Sequence, residues 1–165
     1  MNIYRITILT AIVYLSAFNL SAQERRKAES KQEKIRETSV SMTPPQNFVQ
    51  SEEFTGFMDE ASGVSIIVFD KLDIASSIYA AKLDEEYFNS QGLELKRKEM
   101  IESDNRKEYL FECTTVIEGI PMYRLFFITG DTSHTIISVT NILAEVYDEI
   151  YTKVYKSLLS IKYEK

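Results

Sequence analysis

Among the 165 residues there is one cysteine, Cys113, and one histidine, His134, so the chemistry open to the chain is narrow. A thiolate nucleophile needs a base beside it, and nothing in the sequence places His134 next to Cys113. Cys113 alternates with Tyr109, Phe111 and Thr115, which makes it a small buried hydrophobe on the inward face of a strand. A lone cysteine also forms no intramolecular disulfide. Asp131, within the Gly130–Ser133 loop, and His134, just after it, form a candidate acid–base pair, set against the plainer reading of a surface turn. A hydrolase built on that pair would still lack an assigned hydroxyl. Asp84-Glu85-Glu86 and Glu145, Asp148 and Glu149 are carboxylate clusters, but a calcium site wants oxygens converging from a loop and these fall on helices. There is no glycine-rich phosphate loop, no zinc-spaced Cys/His set and no nucleophile elbow. No catalytic, cofactor-binding or metal residues are therefore assigned.

The elements that position these residues centre on Lys107–Leu143. Period-two alternation over Lys107–Glu118 sends Tyr109, Phe111 and Cys113 to one face and Glu108, Glu112 and Glu118 to the other. A turn at Glu118-Gly119 leads to Met122–Thr129, which is apolar on both sides and so belongs in the centre of a sheet. Thr135–Leu143 is a β-branched third strand. Before this core, Val40–Met42 is a short strand stopped by Pro44-Pro45. Phe54–Met58 and Val64–Asp70 form a hairpin. A helix capped by Asp73 is predicted over Ile74–Ser90 and ends at Gln91-Gly92. The lysine-rich run Glu94–Glu102 suits an edge strand.

The last helix is predicted over Glu145–Tyr163, with Tyr147, Ile150, Tyr151, Val154, Leu158 and Ile161 on one face. Tyr147, Tyr151 and Tyr155 make a ladder along its flank. The ladder reads as packing on the sheet with phenol groups at the solvent rim. The alternative is a partner-binding stripe, because tyrosine concentrates at interfaces.

The N-terminus combines a charged start at Met1–Arg5, an apolar run at Ile6–Phe18 and small residues at Leu20-Ser21-Ala22. This is the pattern of a signal peptide cleaved after Ala22, shorter than a membrane-spanning helix requires. The expected location is periplasmic or secreted, with no membrane anchor after cleavage. Gln23–Ser39 is dense in charge and lacks an apolar face, so a flexible spacer is expected there. The folded part, from residue 40 to 165, has 12 Lys and Arg against 21 Asp and Glu. That balance repels nucleic acid phosphates and argues against such a partner.

Val40-Ser41-Met42-Thr43-Pro44-Pro45-Gln46-Asn47-Phe48, then Gly56-Phe57, then Ser65-Ile66-Ile67-Val68, resemble the Mog1/PsbP-like superfamily over about Val40–Tyr163. The resemblance implies an antiparallel sheet flanked by helices; with the elements read above, the expected fold is α+β, a sheet of about six to seven strands flanked by two helices. Characterised members of that superfamily act by binding; one regulates a small GTPase and another attaches to photosystem II. No catalytic motif travels with the fold, and fold does not fix function. The expectation is a non-catalytic exported binding module for a protein partner in the cell envelope or outside it. The alternative is a carrier of a small apolar ligand held between sheet and helices.

Overall fold

In the computed structural model, residues 31–103 and 106–164 are described. The expected signal peptide, Met1–Ala22, lies outside them. A seven-stranded antiparallel sheet runs in the order β3-β4-β5-β9-β8-β7-β6. Its strands are β3 (Val49–Gln50), β4 (Gly56–Asp59), β5 (Val64–Leu72), β6 (Glu94–Ser103), β7 (Arg106–Ile117), β8 (Ile120–Gly130) and β9 (His134–Leu143). A second sheet of three short strands pairs β1 (Glu33–Lys34) and β10 (Lys162–Tyr163) with β2 (Val40–Met42). The helices are α1 (Ser76–Ala81), α2 (Glu85–Ser90) and α3 (Tyr147–Leu159), the last entered through a 3-10 turn at Ala144–Val146. The fold class is therefore α+β, as the sequence predicts.

The large sheet is covered on both faces, and side-chain alternation separates two cores. One contains Ile66, Val68, Leu110, Leu125, Phe127 and Ile136 beneath Ile150, Val154 and Leu158 of α3, together with Val40 and Met42 of β2. The other contains Phe111, Cys113, Ile128 and Ile137 beneath Ala80, Leu83 and Phe88. β8 lies between β7 and β9, as its two apolar sides require. The carboxylate side of β7 faces α3 and not water. Glu108 is buried there, accepts from the Thr129 hydroxyl at 3.3 Å and lies 3.6 Å from Arg106.

Four boundaries differ from the sequence reading, each for a local reason. The single helix predicted over Ile74–Ser90 is broken. Asp73 does not cap it: α1 starts after an extended Ala75 that makes no side-chain cap. Leu83 turns into the core, and Asp84 caps α2 by accepting from Tyr87 N–H at 2.8 Å. This cap satisfies a helix-start amide and offsets the break. The segment expected as a spacer over Gln23–Ser39 is part of the fold in its described portion. Glu33–Lys34 pairs with β2, and Ile35 is fully buried in the core under α3. One apolar side chain with a docking site outweighs the charge of its neighbours. The C-terminal helix ends at Leu159, and the chain beyond it pairs with β2. The first strand of the early hairpin begins at Gly56, two residues later than predicted, and Val49–Gln50 adds a short strand beside it.

Candidate functional site

The tyrosine flank is built where α3 crosses the β6–β7 side of the sheet. Residues at four-residue steps share a helix flank, and Tyr147, Tyr151 and Tyr155 are half-buried there, in successive contact with centroids 5.2 and 5.9 Å apart. Tyr123 of β8 continues the row, stacked on Tyr147 at 3.8 Å. Arg97 of β6 ties the row to the sheet. It donates to the Tyr151 hydroxyl, sits 3.4 Å from Glu112 and lies over the Tyr151 ring at 5.5 Å. Burial, and then the hydrogen bond to Glu112, push the Tyr147 phenol up. Burial also raises Tyr151, against the pull of Arg97. These hydroxyls remain protonated donors at neutral pH.

The row runs out of the core at the β7–β8 hairpin. Val116 pairs with Pro121 and Thr114 with Tyr123, so these four side chains share the face on which the tyrosines lie. Val116 is 67% exposed. A surface cleft of about 340 Å³ joins the two parts, lined among others by Val116, Pro121, Tyr123 and Ala144. Glu118 and Gly119 both have positive φ, 53° and 84°, which gives the tight turn that holds the tip out. Sequence patterning singled out the helix tyrosines but not Tyr123, Val116 or Pro121. Strand alternation carried the signal, since all three stand at alternate positions facing the same side, but only the register joins them to α3.

The other candidates fall apart or rearrange. His134 does not pair through its ring with Asp131. It opens β9, and its imidazole Nε2 is bonded to Asp70 of β5. Asp131 instead accepts from the backbone N–H groups of Ser133 and His134, both at 2.9 Å, and closes the loop. Asp70 further accepts from Ser39 N–H at 3.0 Å and from the Ser39 hydroxyl at 2.8 Å. Serine and imidazole thus share one carboxylate, and the hydroxyl is not aligned on the imidazole as a nucleophile would be. Burial pulls the Asp70 carboxyl up, but the bonds from Ser39 and His134 outweigh it and hold it below the usual range. Cys113 lies opposite Arg124, which lies opposite Asn141, seven residues along β9 from His134. Lone thiol and lone imidazole are therefore far apart, and burial pushes the thiol up to about 12. Among the described residues no group of three or more His, Cys, Asp or Glu is disposed to hold a metal ion. Asp84, from the first carboxylate cluster, serves as a helix cap.

No family model matches the sequence, and no curated protein matches it by sequence. By structure the chain is similar to the cyanobacterial PsbP (CyanoP) of Synechocystis sp. PCC 6803, with a TM-score of 0.59 at 13% identity over 81% of this chain and 92% of that one. It is similar to LpqN of Mycobacterium tuberculosis, a protein involved in cell envelope biogenesis, with a TM-score of 0.59 at 8% identity over 87% of this chain and 96% of that one. A Bacteroides thetaiotaomicron protein matches with a TM-score of 0.52 at 11% identity, over 77% of this chain and 46% of that one. At such identities the shared property is the backbone arrangement. The chain thus shares a fold with PsbP (CyanoP) and LpqN over most of its length.

Proposed function

We propose that the chain is a non-catalytic module of the cell envelope or its exterior that binds a protein partner through the tyrosine flank and the hairpin tip. The observation that carries this reading is the continuity of one surface. Exposed Val116 and Pro121 lead through a cleft to the Tyr123–Tyr147 stack and on to Tyr151 and Tyr155. Rigid aromatic groups beside an exposed apolar tip supply contact area at small entropic cost, which is how interface anchors work. The N-terminal pattern of charge, apolar run and small residues supports export, and the fold shared with LpqN is consistent with an envelope setting.

A photo-crosslinking residue placed at Val116 tests the proposal, with one at Lys153 on the outer side of α3 as control. The Val116 probe captures a discrete partner from cell envelope; unlabelled wild-type protein competes, and Val116→Asp protein does not. Equal capture from both positions, or none from Val116, overturns it.

A further inference from the structure

We propose that the opposite face of the sheet carries a binding site for a monocarboxylate with an apolar body, its headgroup held by the Arg124 guanidinium. The inference goes beyond the partner surface and lies away from it, because Arg124 and Tyr123 are successive residues of β8 and point to opposite faces.

The four arginines of the described residues are satisfied differently. Arg97 and Arg106 pair with carboxylates, and Arg36 donates to the Ser51 carbonyl. Arg124 donates from Nε to Asn141 Oδ1 at 2.7 Å and forms no ion pair among the described residues. Asn141 is itself held, donating from Nδ2 to Ser65 Oγ at 3.3 Å. The three residues stand directly opposite one another on β8, β9 and β5. This line fixes the plane of the guanidinium through one of its five N–H groups. The remaining donors form the planar fork that receives a carboxylate through two parallel hydrogen bonds. Arg124 is half-buried on a central strand and has no counter-charge among the described residues, so these outer donors are open to an external anion.

The surroundings specify the rest of the ligand. By strand alternation Met122 and Leu143 stand beside Arg124 and Asn141 on the hairpin side, on the same face and half-buried, while Phe126 and Val139 on the other side pack against the core under α2. Ile117 and Ile120 extend this apolar strip to the hairpin end and are 43% and 52% exposed. At about 3.4 Å per residue, Ile120 lies about 14 Å from Arg124, a span suited to a medium-length alkyl chain. A peptide suits the face less well. The backbone groups of β7, β8, β9 and β5 are committed to ladder pairing, so a peptide lying across them would bury its own amides against apolar side chains. An alkyl carboxylate has no such groups to satisfy.

The test titrates the full chain with decanoate, decanol and acetate in a calorimeter, below the micelle concentration. Decanoate binds saturably at one site, and decanol and acetate bind at least tenfold more weakly. Arg124→Gln weakens decanoate at least tenfold and leaves decanol unchanged, while Ile120→Ser, at an exposed position, weakens decanoate several-fold. Decanol binding as tightly as decanoate, or unaltered decanoate binding by Arg124→Gln protein, overturns the proposal. Should Arg124→Gln protein fail to fold, the decanoate-to-decanol ratio of the wild type and the Ile120→Ser result decide it. A negative outcome leaves the crosslinking result at Val116 untouched, because the two sites lie on different faces.

Discussion

His134 Nε2 is bonded to Asp70 across the β5–β9 pair, the two residues lying diagonally on one face of the sheet. A carboxylate only accepts, so the bond fixes the imidazole proton on Nε2. The same carboxylate holds Ser39, whose carbonyl accepts from Glu164 N–H at 3.0 Å, and Tyr163 stands edge-on to the imidazole at 5.0 Å. Asp70 therefore ties the start of β2 to the large sheet directly, and β10 adjoins the same point through Ser39 and the His134 ring.

The first prediction concerns pH. Asp70 is held below its ordinary value of 3.8, the Ser39 and His134 bonds overcoming burial. Its contribution to stability is then complete above pH 3.8 and is lost as pH falls from there through the lower folded value. Asp70→Asn is expected to cost about 2 kcal/mol at pH 7 in urea unfolding. It should also flatten the acid limb of the stability profile. An unchanged acid limb would show that the latch contributes nothing.

Tyr123 and Tyr147 are stacked at 3.8 Å, and an aromatic pair is worth about 1 kcal/mol beyond its buried area. A double-mutant cycle with Tyr123→Leu and Tyr147→Leu should return a coupling of that size. Additive losses would mean that α3 is held by burial alone.

Gly130 has φ 137°, and a Cβ there would come within 2.0 Å of the His134 carbonyl oxygen. Gly130→Ala is expected to destabilise the protein by about 3 kcal/mol, read from thermal or urea unfolding. A loss no larger than that of Gly119→Ala, where a Cβ meets open space, would contradict the steric account.

Burial, chiefly, pushes the Cys113 thiol up to about 12. Iodoacetamide at pH 8 should label it about a hundredfold or more slower in the native protein than in urea, because the thiolate forms only on opening. Rapid labelling of folded protein would place the thiol at the surface.

Val116 is exposed at the hairpin tip. Val116→Asp should leave stability within about 0.5 kcal/mol of wild type while the variant no longer competes for the partner against the Val116 crosslinking probe. A marked fall in stability would assign the side chain to packing and not to contact.

Much of the scaffold is written locally. Alternation along 107–143, the Glu118-Gly119 turn, the lysine-rich edge strand and the proline stop after Met42 each depend on neighbouring residues alone. The sequence predicts them, and the structure has them. The helix break at Leu83 was not legible in this way. Local patterning supports either one helix or two, and the difference lies in what Leu83 meets in the core. The same holds for Ile35, whose charged surroundings conceal a docking site that exists only once β2 and α3 are in place.

The candidate sites divide along the same line. Sequence by itself determined which groups exist: one thiol, one imidazole, a tyrosine row on a helix, and an acidic domain. Tertiary structure alone decided their partners. Strand register is a long-range property, and it put Asp70 rather than Asp131 on the imidazole, Tyr123 under Tyr147, and Asn141 beside Arg124. Side chains distant in sequence become neighbours only when the ladder fixes which residue stands opposite which. A shift of one residue would have turned every one of them to the other face.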